Sequence, residues 1–189
     1  GHVVWAGVNA DFYDMKTGVP RGVLHRNGQI LKTNYDEGNR GFFAITKDKK
    51  ALAGTNKEYP GVSSSLQLQE VVGGGAILLK NGVPLSQSNK TVEPRTCVGI
   101  TADSTRVFFL AVDGRDVPYS NGMTLEELAI CLKALGAHNA INLDGGGSTT
   151  YFVRRFPAFR DDRFDIRNRP SDYSGERAVA NGIVVISNL

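Results

Sequence analysis

Asn142-Leu143-Asp144-Gly145-Gly146-Gly147-Ser148 is the stretch on which the reading of this chain turns; the apolar residues 137–141 precede it and Thr149-Thr150-Tyr151-Phe152-Val153 follows it. Three consecutive glycines have no side chain to pack and are costly to order, so a chain keeps them where its backbone must turn sharply or be closely approached. Both flanks read as strands, and no lysine follows the glycines. A P-loop needs that lysine and a helix behind the glycines, so it is excluded. Asp144 projects from the first strand end into the space beside the glycine amides. A carboxylate next to backbone donors suits a polar, anionic substrate. A tight turn with an incidental aspartate is the plain alternative.

Outward from this stretch, short strands dominate. Val3 to Val8 reads as a strand leading into Asn9-Ala10-Asp11-Phe12-Tyr13. Gly22–His25 and Gln29–Lys32 flank Arg26-Asn27-Gly28, a hairpin signal, and Phe42–Thr46 with Ala51–Ala53 flank a polar turn. Leu66 to Val72 fits either a helical turn or a strand. Ala76–Lys80 runs into the hairpin turn Asn81-Gly82, and Thr96–Ile100 pairs with Arg106–Val112 across Asp103-Ser104-Thr105. The one clear helix spans Leu125–Leu135: Thr124 caps it, Glu127 completes a capping box, and Gly136 ends it. Its Leu125, Leu128, Ala129, Leu132 and Leu135 form a buried stripe. Arg154 to Gly175 is long, polar and reads as a functional loop, and the β-branched run Ala178–Ile186 reads as a central final strand. The expectation is an α+β fold: one domain over 1–189 with a mixed, largely antiparallel sheet core, several hairpins and few helices.

The composition narrows the function. The chain has 189 residues, 41% apolar and 22% charged, enough for one buried core. A net charge of +3 without a basic run gives little support to nucleic-acid binding. No apolar segment reaches the length of a membrane span and no signal peptide is visible. Cys97 and Cys131 read as small buried residues, not as a disulfide. His2, His25 and His138 show no metal-ligand spacing, so no metal site is expected from them.

Asp113-Gly114-Arg115 follows one strand just as Asp144-Gly145 follows another, which would bring two carboxylates to one sheet edge. Paired carboxylates flanking a sugar linkage are the equipment of glycoside hydrolysis; each Asp-Gly taken alone is a turn. Arg95, Arg115 and Arg177 stand beside apolar strands, where a guanidinium fork suits phosphate oxygens, or else forms ion pairs with Asp116 and Glu176. Pro170-Ser171-Asp172-Tyr173 before Gly175-Glu176-Arg177 reads as a rigid turn that places Asp172 or Arg177 in a cleft. Ser148 is read as a hydrogen-bonding group, since no base partner is evident for it.

Taken together, Asn9 to Tyr13, Gly75 to Gly82, Arg95 to Gly99, Asp113-Gly114-Arg115, Gly122 to Leu125, Ala140 to Ser148, Pro170-Ser171-Asp172 and Arg177 resemble, in order, the phosphodiester glycosidase family. The resemblance covers essentially the whole chain, and the stretch around Asp144 is its specific part. It implies a hydrolase that removes a sugar such as N-acetylglucosamine from a phosphate-linked carbohydrate, without a metal or an organic cofactor. It implies Asp144, Asp113 and Asp172 as catalytic carboxylates, and Asn9, Asp11, Arg95, Arg115, Gly145, Gly146, Gly147, Ser148 and Arg177 as substrate-binding residues. It also implies a secreted or periplasmic, bacterial setting and family residues upstream of the first motif. The chemistry is coherent: the departing phosphate monoester has its second ionisation near about pH 6, so it leaves more easily than an alcohol. The needs are then cations and N–H donors for phosphate and a carboxylate at the anomeric carbon. A non-catalytic phosphoglycan-binding module and a metal-dependent phosphodiesterase are the alternatives. Oligomeric state is not legible from the sequence.

Overall fold

The computed structural model describes residues 2–36, 38, 40–155 and 163–188. The first half of the chain runs β1 (His2–Asn9), β2 (Leu24–Arg26), β3 (Gln29–Lys32), β4 (Gly41–Thr46), β5 (Ala51–Thr55), α1 (Tyr59–Ser65) and β6 (Leu68–Gly73). Next come β7 (Ile77–Lys80), β8 (Val83–Pro84), β9 (Arg95–Ile100), β10 (Val107–Val112) and α2 (Leu125–Ala134). Four strands close the chain: β11 (Asn139–Asn142), β12 (Tyr151–Arg154), β13 (Phe164–Ile166) and β14 (Gly182–Asn188). They build three sheets, ordered β13-β12-β1-β14, β10-β9-β11-β7-β8 and β3-β2-β6-β4-β5.

Why two of these sheets hold together is visible in alternate residues. In β9, Cys97 packs with α2 while Val98 and Ile100 pack towards Phe43 and Val72 of the other five-stranded sheet. In β4, Phe43 joins that shared core, while Phe42 and Ala44 pack on the far side with Tyr59 of α1. The two sheets therefore stack face to face with one helix against each outer face. Both faces of the central strands are covered, which is why β9 is buried at all six positions and carries no polar alternation. The leucine stripe of α2 lies on this core as expected, with Leu128 and Leu132 fully buried, each contributing about 2 kcal/mol of burial. Cys97 is buried, Cys131 partly so, and both are free thiols.

Three expectations are corrected. The fold is mostly β, not a balanced α+β: α1 and α2 have only seven and ten residues, and Leu68–Gly73 resolves as a strand because it is fastened on both sides, to β2 and β4. The sheets are not mixed; each strand pairing among the described residues is antiparallel. The final run is not central: β14 is an edge strand, with Val184, Val185 and Ile186 half exposed. Within the expected loop 154–175, β13 forms; residues 156–162, including Asp161 and Asp162, lie outside the described residues. No helix among the described residues is long and apolar enough to cross a membrane.

Candidate active site

The site begins where three strand ends meet. β9 lies between β10 and β11 and is antiparallel to both, so β10 and β11 run the same way and Asp113 and Asp144 leave the sheet at one edge. At that edge the chain changes sheets: residues 145–150 carry it from β11 in the five-stranded sheet to β12 in the four-stranded one. The glycine segment is thus a crossing between sheets, with a short 3-10 turn at Gly146–Ser148, not a hairpin loop.

The end of β1 fixes Asp144 by its main chain. Its amide donates to Ala10 O at 2.8 Å, and Asn9 Nδ2 donates to its carbonyl at 2.7 Å. Asn9 Oδ1 accepts from Thr96 Oγ1 at 2.7 Å and from the Thr150 amide at 3.1 Å. Asn9 is therefore a buried clamp joining β1, β9 and the crossing. The Asp144 side chain accepts from the Gly145 amide at 2.9 Å. Burial raises its carboxyl above the usual carboxylate range, against the pull of the Ser148 hydroxyl, the Gly145 amide, Arg177 and Arg40. The Ser148 hydroxyl is buried near this carboxylate without a well-formed hydrogen bond.

Asp172 and Arg177 reach the same place. Arg177 Nε and Nη2 donate to Asp172 Oδ2 and Oδ1 at 2.7 and 2.9 Å, a two-pronged pair. The pair lies on Gly147 so closely that a Cβ there would sit 2.1 Å from Asp172 Oδ1 and 2.2 Å from Arg177 Nη2. The Arg115 guanidinium lies 3.3 Å from the Cβ position of Gly146; its Nε holds Glu93 at 2.6 Å, and its backbone is left-handed at φ +58°. Arg177 holds the Asp172 carboxyl below the usual range, with Arg115 adding to the effect. Asp144, Asp172, Arg115, Arg177 and the glycines thus converge.

The open-amide reading of the glycines changes. The Gly145 amide binds Asp144, and the Gly146 amide donates to Pro94 O at 2.9 Å. The crossing is made of glycine mainly to admit neighbours, since a Cβ on Gly145 would also meet Pro94 O at 2.6 Å. Two other expected residues turn elsewhere. Arg95 donates to Met123 O at 3.1 Å and to Thr91 O at 2.7 Å, which ties two loops to β9. Asp113 accepts from Asn168 Nδ2 at 3.1 Å, the Arg169 amide at 2.8 Å and Tyr119 Oη at 3.3 Å, so its carboxylate anchors the segment leading to Asp172. Asp11 is enclosed at 1% exposure.

One residue in this neighbourhood escapes a reading of the sequence: Arg40, buried at the head of β4, whose charge bears on both Asp11 and Asp144. The signal for it was the second triple glycine, Gly73-Gly74-Gly75, since Arg40 Nη1 donates to Gly74 O at 3.0 Å. Among the described residues, no three His, Cys, Asp or Glu side chains gather in a way that would hold a metal ion.

Comparisons with known proteins bear on the fold and the family. The fold is similar to the catalytic domain of zebrafish N-acetylglucosamine-1-phosphodiester alpha-N-acetylglucosaminidase, auto-inhibited by its pro-peptide: TM-score 0.68, 23% identity, 97% of this chain and 62% of that one. It is also similar to a candidate exported protein of Burkholderia pseudomallei, with TM-score 0.61, 14% identity, and coverage of 96% of this chain and 66% of that one. This chain thus spans about three fifths of the zebrafish chain. No curated protein sequence matches it. The family model described as phosphodiester glycosidase matches residues 2–186, and with nearly the whole chain so matched, this protein belongs to the phosphodiester glycosidase family.

Proposed function

We propose that this protein hydrolyses a sugar–phosphate phosphodiester and releases the free sugar, with N-acetylglucosamine as the sugar and an extracytoplasmic place of action. The observation that carries the reading is the Asp172–Arg177 pair seated on Gly147 beside Asp144. Asp144 acts at the anomeric carbon, as the base that activates water or as the nucleophile. Arg177 and Arg115 hold the phosphate. Asp172 engages two of the five guanidinium donors of Arg177 and so fixes its plane while three donors remain for a ligand. Fixed donors aimed at developing charge lower the barrier because nothing reorients during the reaction.

Asp144 must be ionised in either role, and burial raises its carboxyl. Activity should therefore rise as pH increases through a midpoint above the usual value of about 4. The direct test is incubation with N-acetylglucosamine-phospho-mannose. Free N-acetylglucosamine should appear, and Asp144→Asn should lower its release about a thousandfold or more. Full activity in that variant would remove Asp144 from the chemistry. Affinity for the substrate without any turnover would instead favour a phosphoglycan-binding module.

A further inference from the structure

Beneath Asp144 lies a pair of charges to which the proposed chemistry gives no task. The two oxygens of Asp11 differ: Oδ2 accepts from the Gly22 amide at 2.6 Å, while Oδ1 lies 3.7 Å from Arg40 Nη1 and has no hydrogen-bond partner. Arg40, 8% exposed, donates to Gly74 O and lays its guanidinium over the Phe12 ring, 4.9 Å from the centroid. Glycines make room for the pair, since a Cβ on Gly73 would come 2.7 Å from Asp11 Oδ2 and one on Gly22 3.0 Å from it.

Both partners are linked, through the residue next to Gly74 and the residue next to Asp11, to the segment 142–144. The Gly75 amide donates to Asn142 O at 2.7 Å, and the Asp144 amide donates to Ala10 O, the residue before Asp11. A buried ion pair is weak evidence of stability, because removing two charges from water costs several kcal/mol per ion. Here the pair is imperfect, with one carboxylate oxygen lacking a hydrogen bond. A pair of that kind, with glycine space kept for it beside a site, points to an electrostatic task.

We propose that Asp11 and Arg40 form a positioning device for Asp144: Asp11 anchors the guanidinium, and Arg40 presents a fixed positive charge to the reacting carboxylate from the protein interior. This rests on the reading of Asp144 as the reacting group. Arg177 and Arg40 are the cations that bear on Asp144, with Asp172 and Arg115 gathered at the adjoining glycines, while Asp11 faces Arg40, Lys32 and the Tyr35 hydroxyl. Asp11 serves as the counter-charge of Arg40 and not as a substrate ligand.

The test is a carbon-13 NMR titration of the Asp144 carboxyl in the substrate-free protein, assigned with Asp144→Asn and paired with the pH profile of kcat/KM. Arg40→Met should move the Asp144 midpoint up by about one pH unit, and Arg40→Lys should restore most of the shift. In Arg40→Met, kcat should fall about tenfold while KM changes less than about threefold. Asp11→Asn, which removes a negative charge and frees Arg40, should move the midpoint down. An unmoved midpoint in Arg40→Met overturns the proposal. Should that variant not fold, an unmoved or raised midpoint in Asp11→Asn overturns it equally. A wild-type protein that releases no sugar defeats the functional reading alone, because the titration still decides whether the pair acts on Asp144.

Discussion

At the scale of single residues, Gly147 carries the most information, because no other residue type fits under the Asp172–Arg177 pair. Gly147→Ala places a methyl group where two charged side chains already lie. The expected outcome is a loss of about 1–3 kcal/mol in thermal or chemical unfolding, with sugar release lowered at least about tenfold as Arg177 is displaced. Unchanged kinetics in a folded variant would show that the pair need not rest on the glycine. Asp11 gives a second expectation at this scale. Burial raises its carboxyl from an ordinary 3.8 to about 6, so the folded protein binds this proton more tightly than the unfolded chain. Its contribution is favourable below the ordinary value and is lost as pH rises towards 6, by about 3 kcal/mol. Denaturant unfolding from pH 4 to 7 should show that decline, and Asp11→Asn should flatten it; an equal slope in the variant contradicts the assignment. Asp144 could be read from the sequence because its Gly-Gly-Gly neighbours are rare and have a steric reason to exist. Arg40 could not, because its partners Asp11 and Gly74 are distant in the chain and nothing local to it signals burial.

At the scale of elements, legibility followed local chemistry. The hairpins at Asn27-Gly28 and Asn81-Gly82 were visible because their turns need positive φ at both residues, and all four have it. Helix α2 was visible through its capping box, in which the Thr124 side chain accepts from the Glu127 amide and Glu127 returns a bond to Thr124. Thr124→Ala should cost about 1 kcal/mol in chemical unfolding; unchanged stability would show that the cap does not hold the helix end. Helix α1 was not visible: its Tyr-Pro-Gly-Val-Ser-Ser-Ser sequence has poor helix formers and no apolar period. Proline suits its first turn, and tertiary contacts hold it, with Tyr59 buried against Phe42, Tyr35 and His25. β14 read as central because its β-branched run resembles a strand covered on both faces, yet among its described residues only Ile183 packs against the core. Local sequence specifies strand type but not place in a sheet.

At the scale of the whole molecule, the arrangement exists because two sheets are stacked and a third is joined to them at one edge. The crossing from β11 to β12 occurs at that joint, and the joint brings residues 9–11, 95, 113, 144–148 and 168–177 to one end of the molecule. Antiparallel placement of β9 between β10 and β11 decides that both Asp-Gly turns fall there, which the sequence pattern had suggested. The division of labour among the carboxylates was not legible, because hydrogen bonds from residues more than fifty positions away engage Asp113. The resulting claim is that an ionised Asp144 directs cleavage at carbon, with phosphate as the leaving group. Hydrolysis of N-acetylglucosamine-phospho-mannose in oxygen-18 water, followed by mass spectrometry, tests it directly. The heavy oxygen should appear in the released N-acetylglucosamine with none in the phosphate product. Label in the phosphate would mean that the phosphorus–oxygen bond breaks, and would contradict the account.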